Sequence, residues 1–182
     1  MILVSIDPGI AETAAAVWDL SKLSWVGGVP RAHDVEMAAT ALLGTGMVRT
    51  KPAVPIPDRL NTIYQWTRGQ VLEAILHEPA ADVVVCIEEP AHGGEYRRQG
   101  GMKNRAAVNK LLLATGAIAA ASAECCGATH LVIAGGTRLD IKVKVAQRLF
   151  EARWPSQKLP HGDILDAIYF GFSCIQRTVW TK

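Results

Sequence analysis

The chain reads as an α/β protein built on a mixed five-stranded sheet with helices on both faces. Two apolar runs, residues 1–6 and 82–87, are too short for core helices and apolar at successive positions, the pattern of strands covered on both sides. From residue 58 onward, helix-period segments alternate with such runs, whereas the first three strand candidates are joined by connections too short for helical crossovers. An antiparallel start followed by alternating units requires a mixed sheet.

The first strand ends in Asp7 and is stopped by Pro8-Gly9. Residues 13–20 are β-compatible, and 23–29 follow after Ser21-Lys22 as the third strand of an antiparallel meander. Residues 30–56 carry Pro30, Gly44, Gly46, Pro52 and Pro55, and predict a short helix over 35–43 followed by a loop. Leu60, Ile63, Tyr64, Val71, Leu72 and Ile75 recur at helical spacing behind the entry signal Pro57-Asp58, which predicts a helix over 58–77 closed by Pro79.

After strand 82–87 comes Glu88-Glu89-Pro90. Residues 91–103, with Gly93, Gly94, Gly100 and Gly101 among Arg97, Arg98 and Lys103, read as a basic loop, and Arg105 follows at once. The helix predicted over 104–125 sets Val108, Leu111, Leu112, Thr115 and Ile118 on one face and fills much of the rest with Ala and Gly. Such small residues permit close approach to a sheet or to a second subunit. Residues 129–134 form the fifth strand, Gly135-Gly136 a turn and 139–153 a helix, and Pro160-His161-Gly162 introduces the last helix, 163–176.

At 182 residues the chain fits one domain, 1–182, with no second domain or internal repeat. Cys86, Cys125, Cys126 and Cys174 lack metal-ligand spacing and read as small hydrophobes in a reducing compartment. The first apolar run is too short to span a membrane and has no basic leader, so a cytoplasmic protein is expected. With 49% hydrophobic and 20% charged residues, the composition excludes a disordered tail.

The acids stand in costly places. A carboxylate ending a buried strand needs a cation or strong donors, and two strands end this way, in Asp7 and in Glu88. Asp163 and Asp166 share one face of the first turn of the last helix, where like charges repel. Oxygen ligands from several elements, with no His/Cys set, point to Mg²⁺ or Mn²⁺. Two such ions would clamp the attacking and leaving oxygens of a phosphodiester and polarise a water. Setting four of the 17 acids aside for metal raises the formal charge from +2 to about +6, a surface suited to a polyanion.

The segments Ile6-Asp7-Pro8-Gly9, Cys86-Ile87-Glu88-Glu89 and Asp163-Ile164-Leu165-Asp166-Ala167 resemble, in order and approximate spacing, the motifs of RuvC-type Holliday junction resolvases, members of the RNase H-like superfamily. The resemblance spans nearly the whole chain, and Thr13 falls where the family tends to have a Thr. It implies an RNase H-like sheet, two Mg²⁺ or Mn²⁺ ions contacted by Asp7, Glu88 and Asp166 with Asp163 as the more variable ligand, and Lys142 approaching the cleaved strand's phosphates. It also implies a homodimer that nicks opposed strands of a four-way DNA junction, leaving 5′-phosphate and 3′-hydroxyl ends.

Arg97, Arg98, Lys103, Arg105, Lys144 and Arg148 are the candidate DNA contacts, although a solvated helix face accounts equally for Lys144 and Arg148. Strand alternation admits only one of Glu88 and Glu89 to the site, and Glu88 fits the motif. His161 is open between a site role and a surface position. The chain departs from the cellular family at Glu89-Pro90-Ala91, where an aromatic would stack on an unpaired base; Tyr96 is the nearest aromatic. Such compact members look like those of bacteriophages, acting in the host cytoplasm. An RNA–DNA hybrid nuclease would share the carboxylates, a sugar-kinase-like ATPase would need a second domain, and the retained acids argue against a non-catalytic junction-binding scaffold.

Overall fold

The computed structural model describes residues 1–26, 29–31, 34–76, 78–89, 103–126, 128–133 and 139–176. In chain order its elements are β1 (Ile2–Asp7), β2 (Glu12–Asp19), β3 (Ser24–Val26), β4 (Val29–Arg31), α1 (Val35–Ala41), β5 (Leu42–Arg49), α2 (Ile56–Ile75), β6 (Val83–Glu89), α3 (Lys103–Cys125), β7 (Ala128–Ile133), α4 (Leu139–Arg153) and α5 (Gly162–Gln176). Five strands form one sheet in the order β5-β2-β1-β6-β7. β2 is antiparallel to both β1 and β5, while β1, β6 and β7 run parallel.

Alternation along the central strands builds two cores. Ile2, Val4, Ile6, Val83, Val85 and Ile87 face α2 and α3, where Ile63, Val71, Ala114 and Ile118 complete one apolar layer. Leu3, Val84 and Cys86 face the other side, with Leu149, Phe150, Leu165 and Ile168 of α4 and α5. Both faces are therefore covered, and the continuous apolar character of β1 and β6 follows from that.

α5 lies unusually close to the sheet. The Ser5 hydroxyl donates to the Ala167 carbonyl at 2.9 Å and accepts from the Trp18 indole N–H at 3.1 Å. All of Ser5 and Trp18 is buried. A Cβ on Gly171, one turn beyond Ala167, would collide with Trp18 Nε1 and Ser5 Oγ, so only glycine lets the helix settle at this depth.

The third strand of the sheet differs from expectation. Ser24–Val26 and Val29–Arg31 pair only with each other, as a separate hairpin. The place beside β2 is taken by Leu42–Arg49, which sequence patterning assigns to the end of a helix and a loop. Gly44 and Gly46 read as strand breakers, yet here glycine serves packing: a Cβ on Gly46 would crowd Gln70 and Trp66 of α2. α1 starts where expected, its Asp34 cap accepting from the Met37 amide at 2.6 Å, but passes directly into β5 after Ala41. In α3 the buried residues are Ala114, Thr115, Ile118, Ala121 and Ser122, while Leu112 and Leu113 are exposed. Residues 91–102 and the turn at Gly135-Gly136 lie outside the described residues.

Gly171→Ala should force α5 off the Ser5–Trp18 pair at a cost of about 1–3 kcal/mol, a fall in Tm of roughly 2–12 °C. Thermal melts followed by circular dichroism test this, and an unchanged Tm would show that the helix is not held at its closest approach there.

Candidate active site

β1 and β6 run in parallel register, with Ile6 opposite Ile87, and the next residue of each is an acid, Asp7 and Glu88. Alternation turns both acids to the side of Leu3 and Cys86, toward α4 and α5. α5 begins above this point. A carboxylate oxygen from each of Asp7, Asp163 and Asp166 lies within 4.8 Å of the others; Glu88 acts electrostatically on Asp7, and Asp166 acts on Glu88.

Lys142 of α4 is the cation facing these acids, its field opposing the upward shifts of Asp7, Glu88 and Asp166; its Nζ lies 5.7 Å from the Tyr169 ring centre. Among the described residues, this one lysine does not balance four acids. Burial holds the Asp7 carboxyl well above the usual range, and Glu88, Asp166 and Asp163 raise it further. Burial is also the chief cause of the upward shifts of Glu88, Asp163 and Asp166. Partly buried oxygen donors with raised pKa values and no thiolate among them make a donor set that suits a hard divalent cation.

A second layer lies beside Asp163. Glu12 opens β2 and accepts from its cross-strand partner Arg49, with Oε1 3.0 Å from Nε. His161 Nδ1 sits 3.3 Å from Glu12 Oε2 and 3.1 Å from Asp163 Oδ2. Glu12 is held below its ordinary value, first by a hydrogen bond from Asp163, while burial and that same bond raise Asp163. The contact between the two therefore favours the charged form of Glu12 over that of Asp163.

The turn between β1 and β2 is built to a fixed shape. A Cβ on Gly9 would collide with the Glu12 carbonyl, and the buried Thr13 hydroxyl donates to Gly9 O at 2.6 Å. Arg59 of α2, only 6% exposed, donates through Nε to Thr50 Oγ1 and through Nη2 to the Ile10 carbonyl, both at 2.8 Å. The Thr50 amide donates to Ala11 O, also at 2.8 Å. These bonds tie α2 and the end of β5 to the turn that separates Asp7 from Glu12.

Of the residues singled out from the sequence, Asp7, Glu88, Asp163, Asp166 and Lys142 are brought together. Lys144 and Arg148 lie on the exposed side of α4, turned away from Lys142. Arg97 and Arg98 are outside the described residues, as are the side chains of Lys103, Arg105 and Glu89. Sequence reasoning missed Glu12, Arg49 and Arg59. Glu12 carried a signal, since it stands only five residues after Asp7 across a Pro-Gly turn; Arg59 carried none, because a single basic residue in a helix's first turns looks solvated.

The sheet order, the helices on both faces and the acids at two adjacent strand ends define an RNase H-like α/β fold. Among solved structures, the chain is similar to Thermus thermophilus RuvC at 19% identity, with a TM-score of 0.57 over 95% of this chain and 92% of that one. It is similar also to T. thermophilus RuvC in complex with Holliday junction substrate, at 20% identity and a TM-score of 0.56 over 95% and 91% of the two chains. At these identities the likeness is one of fold. No family model and no curated protein matches the chain.

Raised carboxyl pKa values make the cluster a pH-dependent cost. Between the unfolded carboxylate range, about pH 4, and the higher folded values, the native state binds more protons than the unfolded one, so stability falls as pH rises. Without divalent ions, melts from pH 5 to 8 should show Tm decreasing, and Asp7→Asn should melt above the parent at pH 8. Each kcal/mol of relieved repulsion reads as roughly 2–4 °C at this length. A variant less stable than the parent at pH 8 would contradict this electrostatic account.

Proposed function

We propose that the chain is a metal-dependent, structure-selective DNA endonuclease that resolves four-way junctions and other branched DNA. The observation that carries this reading is the convergence of Asp7, Glu88, Asp163 and Asp166, from two adjacent strand ends and one helix, opposite Lys142. The fold is that of a protein solved with Holliday junction substrate, which favours branched DNA over an RNA–DNA hybrid. Direct comparison of the two substrates separates those readings.

Asp7, Glu88, Asp163 and Asp166 would hold two Mg²⁺ or Mn²⁺ ions. When bound, these supply Lewis-acid polarisation of the phosphodiester and of a water. Asp7 feels Glu88 at the end of β6 and both acids of α5 and would be the ligand common to the set, whereas Asp163 is also held by Glu12 and His161. Lys142 orients the phosphate of the strand being cut, and the products carry 5′-phosphate and 3′-hydroxyl ends. Residues 1–182 act as one nuclease domain. The buried, free Cys86 thiol is in keeping with a reducing cytoplasm, including a host's if the chain is encoded by a bacteriophage.

Resolution needs two opposed nicks, and so two sites. α3 offers the surface for a homodimer: Leu112 and Leu113, 41% and 48% exposed, continue into exposed Gly116, Ala120 and Ala123. Its stretch Ala106–Cys125 has a mean hydropathy of 1.4, high for a helix with so much solvent-facing surface.

Asp7→Asn should bind a labelled four-way junction as the parent does and lose cleavage by at least about 100-fold, with a smaller loss for Asp163→Asn. Full cutting by the parent after exhaustive EDTA treatment would rule out the metal mechanism.

Leu113→Glu should convert a dimer to a 19.6 kDa monomer in sedimentation equilibrium and replace paired cuts by single nicks. Retention of the parent's mass would remove α3 from the interface.

A further inference from the structure

Beside the acid cluster a cleft of roughly 560 Å³ runs between the β1–β2 turn and the first turns of α3. Its volume falls within the usual span of small-ligand sites. Asp163 is the one lining residue that the proposed metal chemistry uses; the rest of the cleft has no part in it. Ile10 and Ala11 form one wall, and Ala106, Ala107 and Leu111 the other. Glu12 and Asp163 close the end nearest the acids, and Lys110 is the cation of the lining.

The walls differ in what they can bind. Ile10, Ala11, Ala106, Ala107 and Leu111 offer flat, apolar contact and no hydrogen-bonding side chain, which suits the face of an aromatic ring. Glu12 is occupied by Arg49, His161 and Asp163, so it borders the cleft without needing a ligand there. Lys110 adds positive charge to the lining from α3, whereas Glu12 and Asp163 belong to β2 and α5. A group with an apolar ring and an anion one bond path away matches this division, and a nucleotide has that form. The turn wall is rigid, since Arg59, Thr13 and Gly9 fix the backbone carrying Ile10 and Ala11.

Given the reading of the chain as a branched-DNA nuclease, on which this rests, we infer that the cleft seats one unstacked nucleobase of the strand being cut, with Lys110 on the adjoining phosphate. At a branch point bases are already partly unstacked, so withdrawing one costs less than in continuous duplex. Seating it beside Asp163 holds the neighbouring phosphodiester against the acids. The cleft thereby favours branched over linear DNA.

Ala107→Trp fills the cleft from an exposed helix position. On four-way junctions carrying single 2-aminopurines near the cut, the non-cutting Asp7→Asn protein should raise emission at one nucleotide, and Asp7→Asn/Ala107→Trp should not. In the Asp7 background, Ala107→Trp should lower the cleavage rate by roughly tenfold or more, with junction retention in gels and Mn²⁺ binding within about twofold of the parent. Lys110→Glu, should the tryptophan variant melt abnormally, must lower cleavage in the same manner. Parent-like cutting and emission in the filled-cleft protein overturn the assignment. A parent chain that binds Mn²⁺ but cuts no branched DNA overturns the nuclease reading itself, independently of the cleft variants.

Discussion

The seating of α5 on β1 is the contact on which the site depends. Ser5 stands two residues before Asp7 on the same face of the strand, and Ala167 directly follows Asp166. The bond between them therefore fixes the height of the helix's acids over the strand's acid within one pleat. Gly171 removes the side chain that would prevent this approach, and Trp18 caps the hydroxyl from the neighbouring strand. A buried polar triplet is tolerable because each partner is satisfied, and it sets register in a way apolar packing alone would not.

That register is expensive. It concentrates four carboxylates where burial and mutual repulsion raise their pKa values, with Lys142 as partial compensation. The remainder of the fold resists the strain by fixing backbone. The β1–β2 turn is held by Thr13, Gly9 and Arg59, so Asp7 and Glu12 cannot relax apart by loosening the loop between them. Beside them, Asp163 is raised by burial and by its contact with Glu12, whose charged form Arg49 and His161 favour. Rigidity around a charged cluster is what preorganisation for a cation requires.

The central strands and the acids were legible in the sequence because burial on both faces forbids polar residues except where function demands them. Asp7 and Glu88 broke that rule at the ends of apolar runs, and Asp163 and Asp166 broke the charge spacing rule of a helix. β5 was not legible: its glycines carry no side-chain periodicity, and the role of Gly46, letting α2 approach, belongs to a partner 20 or so residues away. Arg59 and Arg49 were hidden for the same reason. Their meaning resides in contacts across the turn and the strand pair, which local pattern does not encode.

α3 shows why its inward face was misassigned. The pattern of Val108, Leu111 and Leu112 suggests one buried stripe, yet this helix meets three surroundings. Ala114 and Ile118 pack on the sheet and α2, Ala106, Ala107 and Leu111 border the cleft, and Leu112 and Leu113 face outward. A helix apolar on several sides loses the amphipathic signal from which a single face could be read. Its abundance of alanine and glycine has the same origin: close approach on one side and an open cleft on another both require that side chains be short. The helix wall that shapes the cleft and the outward stripe are thus parts of one rigid body, and a displacement of one moves the other.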